Sequence, residues 1–121
     1  MQKGIRHHVR HMFGALNYSV QGIASALRSE TAFQQEAMAL VGVVVVSLIF
    51  TPLDTACGLI AAWLFVMALE LLNMALESVA DLVTTDIHPL VKRAKDAASA
   101  AVFLAIIANA ALWAGALWRL V

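Results

Sequence analysis

Charge is what this sequence has least of. Only 13% of its 121 residues are Asp, Glu, Lys or Arg, against 62% hydrophobic, where soluble chains carry about 25% charged and 45–50% apolar residues. Lys and Arg (8) balance Asp and Glu (8). The chain therefore lacks the basic stripe with interleaved aromatics that nucleic acid requires, which excludes it as a partner. A single cysteine, Cys57, excludes an internal disulfide and a cysteine-cluster metal site, and reads as a small apolar residue in or near a membrane helix. With two prolines, Pro52 and Pro89, long helical stretches run without a breaker. Neither a phosphate-loop signature nor a Gly-rich nucleotide loop occurs. The opening stretch MQKGIRHHVRHMF is basic and mixed and lacks the apolar core of a cleaved signal, so the first span is expected to serve as an uncleaved targeting signal.

What is present is apolar sequence in long runs. No charged residue occurs between Glu36 and Asp54, from Thr55 to Leu69, or from Ala97 to Trp118. Each run, with its weakly polar flank, approaches the ~20 residues that cross a bilayer. VGVVVVSLIF and AAVFLAIIANAALWAGAL are apolar on every side, which excludes a soluble bundle built on amphipathic stripes. The expected fold is an all-α membrane protein of one domain over residues 1–121. It has an amphipathic surface helix at 1–29 and transmembrane helices at 32–50, 55–83 and 90–119.

In the first of these, Ile5, Val9, Met12, Phe13, Leu16, Val20, Ile23 and Leu27 recur in steps of three and four, with Lys3, Arg6, Arg10, Gln21 and Arg28 between them. That pattern describes a helix lying in the membrane surface. Gly4, Gly14 and Gly22 make a break in it possible. His7, His8 and His11 read as titrating groups of this surface helix, not as ligands. Pro52 is expected to stop the first span, with Asp54 or Thr55 capping the second. Lys3, Arg6, Arg10 and Arg28 precede the first span, and Lys92, Arg93 and Lys95 follow the second, whereas the loop between spans one and two has no basic residue. The positive-inside rule then places the N-terminus and the second loop in the cytoplasm.

One segment interrupts the apolar pattern. In ELLNMALESVADL, residues 70–82, Glu70, Asn73, Glu77 and Asp81 fall on one side of a helix. Counted from Thr55, Glu70 lies about 22 Å along the axis, inside a ~30 Å hydrocarbon core near its inner edge. Glu77 and Asp81 fall in the cytoplasmic headgroup zone and beyond. A carboxylate within a span costs roughly 2.5–3.5 kcal/mol and marks a functional site by default, although Asn73 with Glu70 alone could be interhelical glue. Three carboxylates on one face repel unless they are protonated or share a cation. The cation that suits them is hard and oxygen-seeking, such as Mg²⁺. Glu30, Gln35 and Glu36 stand at the same inner boundary, and KRAKD at residues 92–96 adds Lys95 and Asp96. Metal-holding acids beside basic residues suit Mg²⁺-assisted phosphoryl transfer at the membrane interface.

ELLNMALESVADL, HPLVKRAKDAASAAV at 88–102 and GIASALRSETAFQQE at 22–36 together resemble the small prokaryotic membrane lipid kinases that include diacylglycerol kinase and undecaprenol kinase. The resemblance covers nearly the whole chain in order. It implies a homotrimeric helical bundle in the bacterial inner (cytoplasmic) membrane that moves the γ-phosphate of ATP to a lipid hydroxyl, with Mg²⁺. It also implies roles for residues. Glu70 would be the general base and Asn73 would help arrange the catalytic site, while Glu30 and Glu77 would bind metal and nucleotide. Asp81, Lys95 and Asp96 would serve the nucleotide, and Ser99, Gln35 and Glu36, with Glu70, the lipid. Three positions depart from the family's usual residues. Gln34 stands where a basic residue is common and Met74, beside Asn73, where a small hydroxyl residue is common, and the family commonly has an arginine near His11. YSVQG and AFQQE look like the diacylglycerol branch and HPLVKRAKD more like the undecaprenol branch; diacylglycerol is the preferred acceptor and undecaprenol the alternative. Two readings from other classes are a non-catalytic assembly subunit, whose acids would pair with a partner's cations, and an ion carrier. The ion carrier is disfavoured because the outer half of the spans has no acid to continue a relay.

Overall fold

The computed structural model describes the backbone of residues 2–119 and the side chains of residues 14–119. Expectations for Lys3, Ile5, Arg6, His7, His8, Val9, Arg10, His11, Met12 and Phe13 therefore concern side chains outside the described residues. Four helices follow one another: α1 (Gln2–Ser29), α2 (Thr31–Phe50), α3 (Leu53–Val83) and α4 (Pro89–Trp118). The last three are long and apolar enough to cross a membrane. Helix α3 is central, packing along α4 and α2 and touching α1.

The boundaries differ from the expected ones where local chemistry outweighs propensity. Helix α1 continues through Gly14 and Gly22, and the chain breaks instead at Glu30, whose extended backbone (φ −109°, ψ 111°) separates α1 from α2 without proline or glycine. Helix α3 starts at Leu53, two residues before the expected Thr55, with Pro52 in the N-cap position and no side-chain cap. Asp54 does not cap it. Its Oδ1 accepts from the Thr55 amide at 2.7 Å in the first turn, where a negative charge favours the helix dipole. Pro89 occupies the first position of α4, as its fixed φ allows. His88 is the N-cap, and its Nδ1 accepts from the Leu90 amide at 3.2 Å.

Among the buried or half-buried positions of α3 are Ala56, Leu59, Trp63, Val66, Glu70, Asn73, Glu77 and Ala80. They alternate in steps of three and four, the spacing of a helix–helix seam. The seam is apolar in its first half and acidic in its second. On α4 the matching positions include Lys95, Ala98, Val102, Asn109 and Ala116. The antiparallel register is set at one end by the Lys95–Asp81 ion pair and at the other by Leu59 and Ala116 flanking one cavity. Outside the seams, large apolar residues such as Ile49, Phe65, Phe103 and Leu104 are exposed. Such a surface suits lipid as its solvent. Along α1, Leu16, Val20, Ile23 and Leu27 are likewise left uncovered, which fits a helix that lays its apolar face in the membrane surface.

Candidate functional site

Helix period alone brings the acids together. Seven residues advance an α-helix by almost two full turns, so Trp63, Glu70 and Glu77 stand nearly one above another, ~10.5 Å apart along α3. Because α2 runs antiparallel to α3, its first residues return to the same end as Glu70. Glu70 accordingly lies within electrostatic reach of Glu77 on its own helix and of Glu30 at the α1–α2 break, and Glu36 lies within reach of Glu70. Asn73 is between them on the seam. Its Nδ2 donates to Glu77 Oε1 at 3.3 Å, while its Oδ1 is buried without a donor. Glu36 Oε2 is also buried and unpartnered.

Among the described residues, the ion pairs are Lys95–Asp81 and Lys92–Asp96, so none of Glu30, Glu36, Glu70 and Glu77 is neutralised by a cationic side chain described here. Lys95 Nζ donates to Asp81 Oδ1 at 2.5 Å, joining the inner end of α3 to the first turns of α4. This pair stands at the rim of the acidic half-seam, one turn beyond Glu77. Asp96 instead faces Lys92 one turn back on α4, on an exposed side. Gln35 and Ser99 are exposed and off the seam. Of the expected site residues, the fold thus gathers Glu30, Glu36, Glu70, Asn73 and Glu77, sets Asp81 with Lys95 beside them, and leaves Asp96, Gln35 and Ser99 outside the cluster within one chain.

A family model described as prokaryotic diacylglycerol kinase matches residues 17–117. Curated relatives agree over the same length. The diacylglycerol kinase of Haemophilus influenzae is 40% identical over 111 residues, covering 89% of this chain and 92% of that protein. That of Escherichia coli K12 is 40% identical over 105 residues, 86% of each chain. That of Pseudomonas aeruginosa is 38% identical over 110 residues, 88% of this chain and 87% of its own. The chain belongs to the prokaryotic diacylglycerol kinase family. It is a lipid kinase of that family, and the assembly-subunit and ion-carrier readings fall away.

Family membership makes a divalent cation worth testing against the geometry. Among the described residues, no three or more His, Cys, Asp or Glu side chains converge as a metal cage would require. Mg²⁺, however, keeps several waters and takes one or two carboxylates together with substrate phosphates. Glu77 on α3 and Glu30 at the α1–α2 break lie within electrostatic reach of Glu70, and the buried Asn73 Oδ1 beside Glu77 is an acceptor with no donor. These oxygen donors fit Mg²⁺ arriving with a phosphate chain.

Sequence reasoning missed two participants. Trp63 donates its indole N–H to the Glu36 carbonyl at 2.9 Å, and Gln34 Nε2 donates to the Leu27 carbonyl at 3.0 Å across the α1–α2 break. Both bonds end on backbone carbonyls, which carry no sequence signature. The one available signal was Gln34, already noted as a departure from the family's basic residue.

Proposed function

We propose that the chain transfers the γ-phosphate of ATP to the hydroxyl of diacylglycerol, at the cytoplasmic face of the bacterial inner membrane, as a homotrimer. The observation that carries this reading is the order of groups along one helix face, with Glu70 deepest, Asn73 and Glu77 next, and Asp81 with Lys95 at the rim. A lipid hydroxyl approaches from the membrane and a nucleotide from water, so a phosphoryl-transfer site must bridge those two depths. The relatives named diacylglycerol kinase support the same acceptor.

Glu70 accepts the hydroxyl proton as the lipid oxygen attacks the γ-phosphorus, and ADP leaves toward the cytosol. Glu36, half-buried with one free carboxylate oxygen, orients the lipid headgroup. Glu77 and Glu30 would hold Mg²⁺, which when bound would supply positive charge to offset that of the phosphate chain. The Asn73 amide fixes Glu77 by hydrogen bonding its Oε1. Lys95, oriented by Asp81, meets the nucleotide phosphates. Asp96 and Ser99, exposed on one chain, and Gln35, exposed on α2, serve nucleotide and lipid from surfaces that trimer assembly covers.

Purified protein in mixed micelles with Mg-ATP, supplied in turn with diacylglycerol and undecaprenol, tests the reading. Phosphatidic acid formed in preference to undecaprenyl phosphate is the expected result. Preference for undecaprenol reassigns the acceptor, and inactivity on both overturns the proposed reaction.

A further inference from the structure

We propose that Trp63 is a positioning residue for the lipid acceptor, acting through Glu36; this rests on the reading of Glu36 as a headgroup-facing group. The indole of Trp63 donates to the Glu36 carbonyl at 2.9 Å, and it is the side-chain hydrogen bond that links α2 to α3 among the described residues. Helix geometry makes this bond directional. In an α-helix the carbonyls point toward the C-terminus, whereas each Cα–Cβ bond tilts toward the N-terminus. From one residue, Glu36 therefore sends its carbonyl outward along the bundle to Trp63 and its carboxyl inward toward Glu70.

The spacing on α3 completes the device. Trp63 and Glu70 are seven residues apart on one seam, so a residue of α2 gripped by Trp63 is held under Glu70, within its electrostatic reach. Two acids beside one another in a span repel and would drive α2 and α3 apart at this level. A neutral donor acting on the backbone opposes that separation without neutralising either carboxylate, which a Lys or Arg here would do. The Glu36 carbonyl already accepts within its helix, so the indole bond adds a second interaction instead of replacing a helical one. Leu59 and Val66, one turn to either side of Trp63 on the same seam, are buried.

The test is Trp63→Phe, which keeps an aromatic ring and removes the donor. The diacylglycerol KM, as mole fraction in mixed micelles, is expected to rise about threefold to tenfold, the worth of one hydrogen bond. The kcat and the Mg-ATP KM should stay within twofold. In a Glu36→Ala background, the same substitution should leave the lipid kcat/KM unchanged, because the route through Glu36 is already cut. The proposal is overturned by an unaltered lipid KM, by parallel loss in kcat and both KM values, or by an undiminished effect in the Glu36→Ala protein. Should the Phe variant not assemble, Trp63→benzothienylalanine removes the N–H from a ring of the same shape and reads the same KM. Wild-type protein that phosphorylates neither diacylglycerol nor undecaprenol removes the kinase reaction itself, and that result is visible before Trp63 is changed.

Discussion

Glu70→Gln separates a catalytic carboxylate from a structural one, because the two roles predict opposite changes. The substitution keeps shape and hydrogen-bonding capacity while removing the charge and the proton acceptor. A positioned general base contributes about 10²–10⁴-fold, so kcat should fall by that factor, equivalent to ~2.7–5.4 kcal/mol of barrier at 1.36 kcal/mol per decade. Stability should not fall with it. Glu77 stands ~10.5 Å further along the same helix face, and two unit charges at that distance repel by about 1.5 kcal/mol at an effective dielectric near 20. Glu30 adds to the repulsion from α2's side. Neutralising Glu70 therefore leaves the bundle as stable as before or raises its stability by up to ~1.5 kcal/mol. Phosphate transfer to diacylglycerol in mixed micelles gives kcat, and thermal unfolding with size-exclusion chromatography in the same detergent gives stability and assembly. Turnover within tenfold of wild type would falsify the base assignment. A loss of turnover that tracks a falling unfolding midpoint would instead make Glu70 a structural ion.

Three further predictions concern the rim and the topology. Lys95→Met breaks a half-exposed ion pair that contributes under about 1 kcal/mol, so the unfolding midpoint should barely move while the Mg-ATP KM rises at least tenfold; the reverse pattern would make the pair structural. Glu77→Gln should raise the Mg²⁺ concentration for half-maximal activity at least tenfold and leave the lipid KM unchanged, and an unshifted Mg²⁺ titration would remove Glu77 from the metal site. Asp54→Cys and Asp86→Cys, each in a Cys57→Ala background, should differ toward a membrane-impermeant maleimide, the first reacting in intact spheroplasts and the second only after they are lysed; the opposite labelling would invert the proposed topology.

The acidic residues were legible because charge stands out against an apolar run, and a single helical period relates Glu70, Asn73, Glu77 and Asp81. The first half of the seam was not legible. Ala56, Leu59, Trp63 and Val66 lie in a stretch that is apolar on all sides, and no polar face exists to reveal by contrast which side meets another helix. The helix break at Glu30 was legible as the change from an amphipathic to an apolar pattern, which placed it between residues 29 and 32, and α1 and α2 meet there. What was not legible is the bond across the break, where Gln34 donates to the Leu27 carbonyl beside the extended backbone of Glu30. Glycine, the usual breaker, gave a false lead, because a Cβ at Gly14 or Gly22 would meet open space and nothing there requires its freedom. The start of α3 was misplaced because Asp54 favours capping by type, yet Pro52 leaves the helix free to begin at the next residue.

The two halves of the α3 seam divide the work between holding and opening. Buried residues such as Leu59 and Val66 close α3 against its neighbours over its first half. Continuing that seam with Glu70, Asn73 and Glu77 places repulsion where the same helices would otherwise zip shut. A dry, closed inner half could admit neither a lipid hydroxyl nor a phosphate chain. The repulsion must nevertheless be bounded, or the helices would splay and the carboxylates would lose their common geometry. Three contacts supply that bound, each at an edge of the acidic half: Trp63 to Glu36 below it, Gln34 to Leu27 across the α1–α2 break, and Lys95 to Asp81 at the rim. None of them places a cation among Glu30, Glu36, Glu70 and Glu77. The position that is commonly basic in the family here holds Gln34, whose amide braces the break that carries Glu30 without contributing positive charge. The acids are thus kept close by neutral or peripheral groups, which leaves them without positive charge, and in the proposed mechanism Mg²⁺ would bring it with the nucleotide.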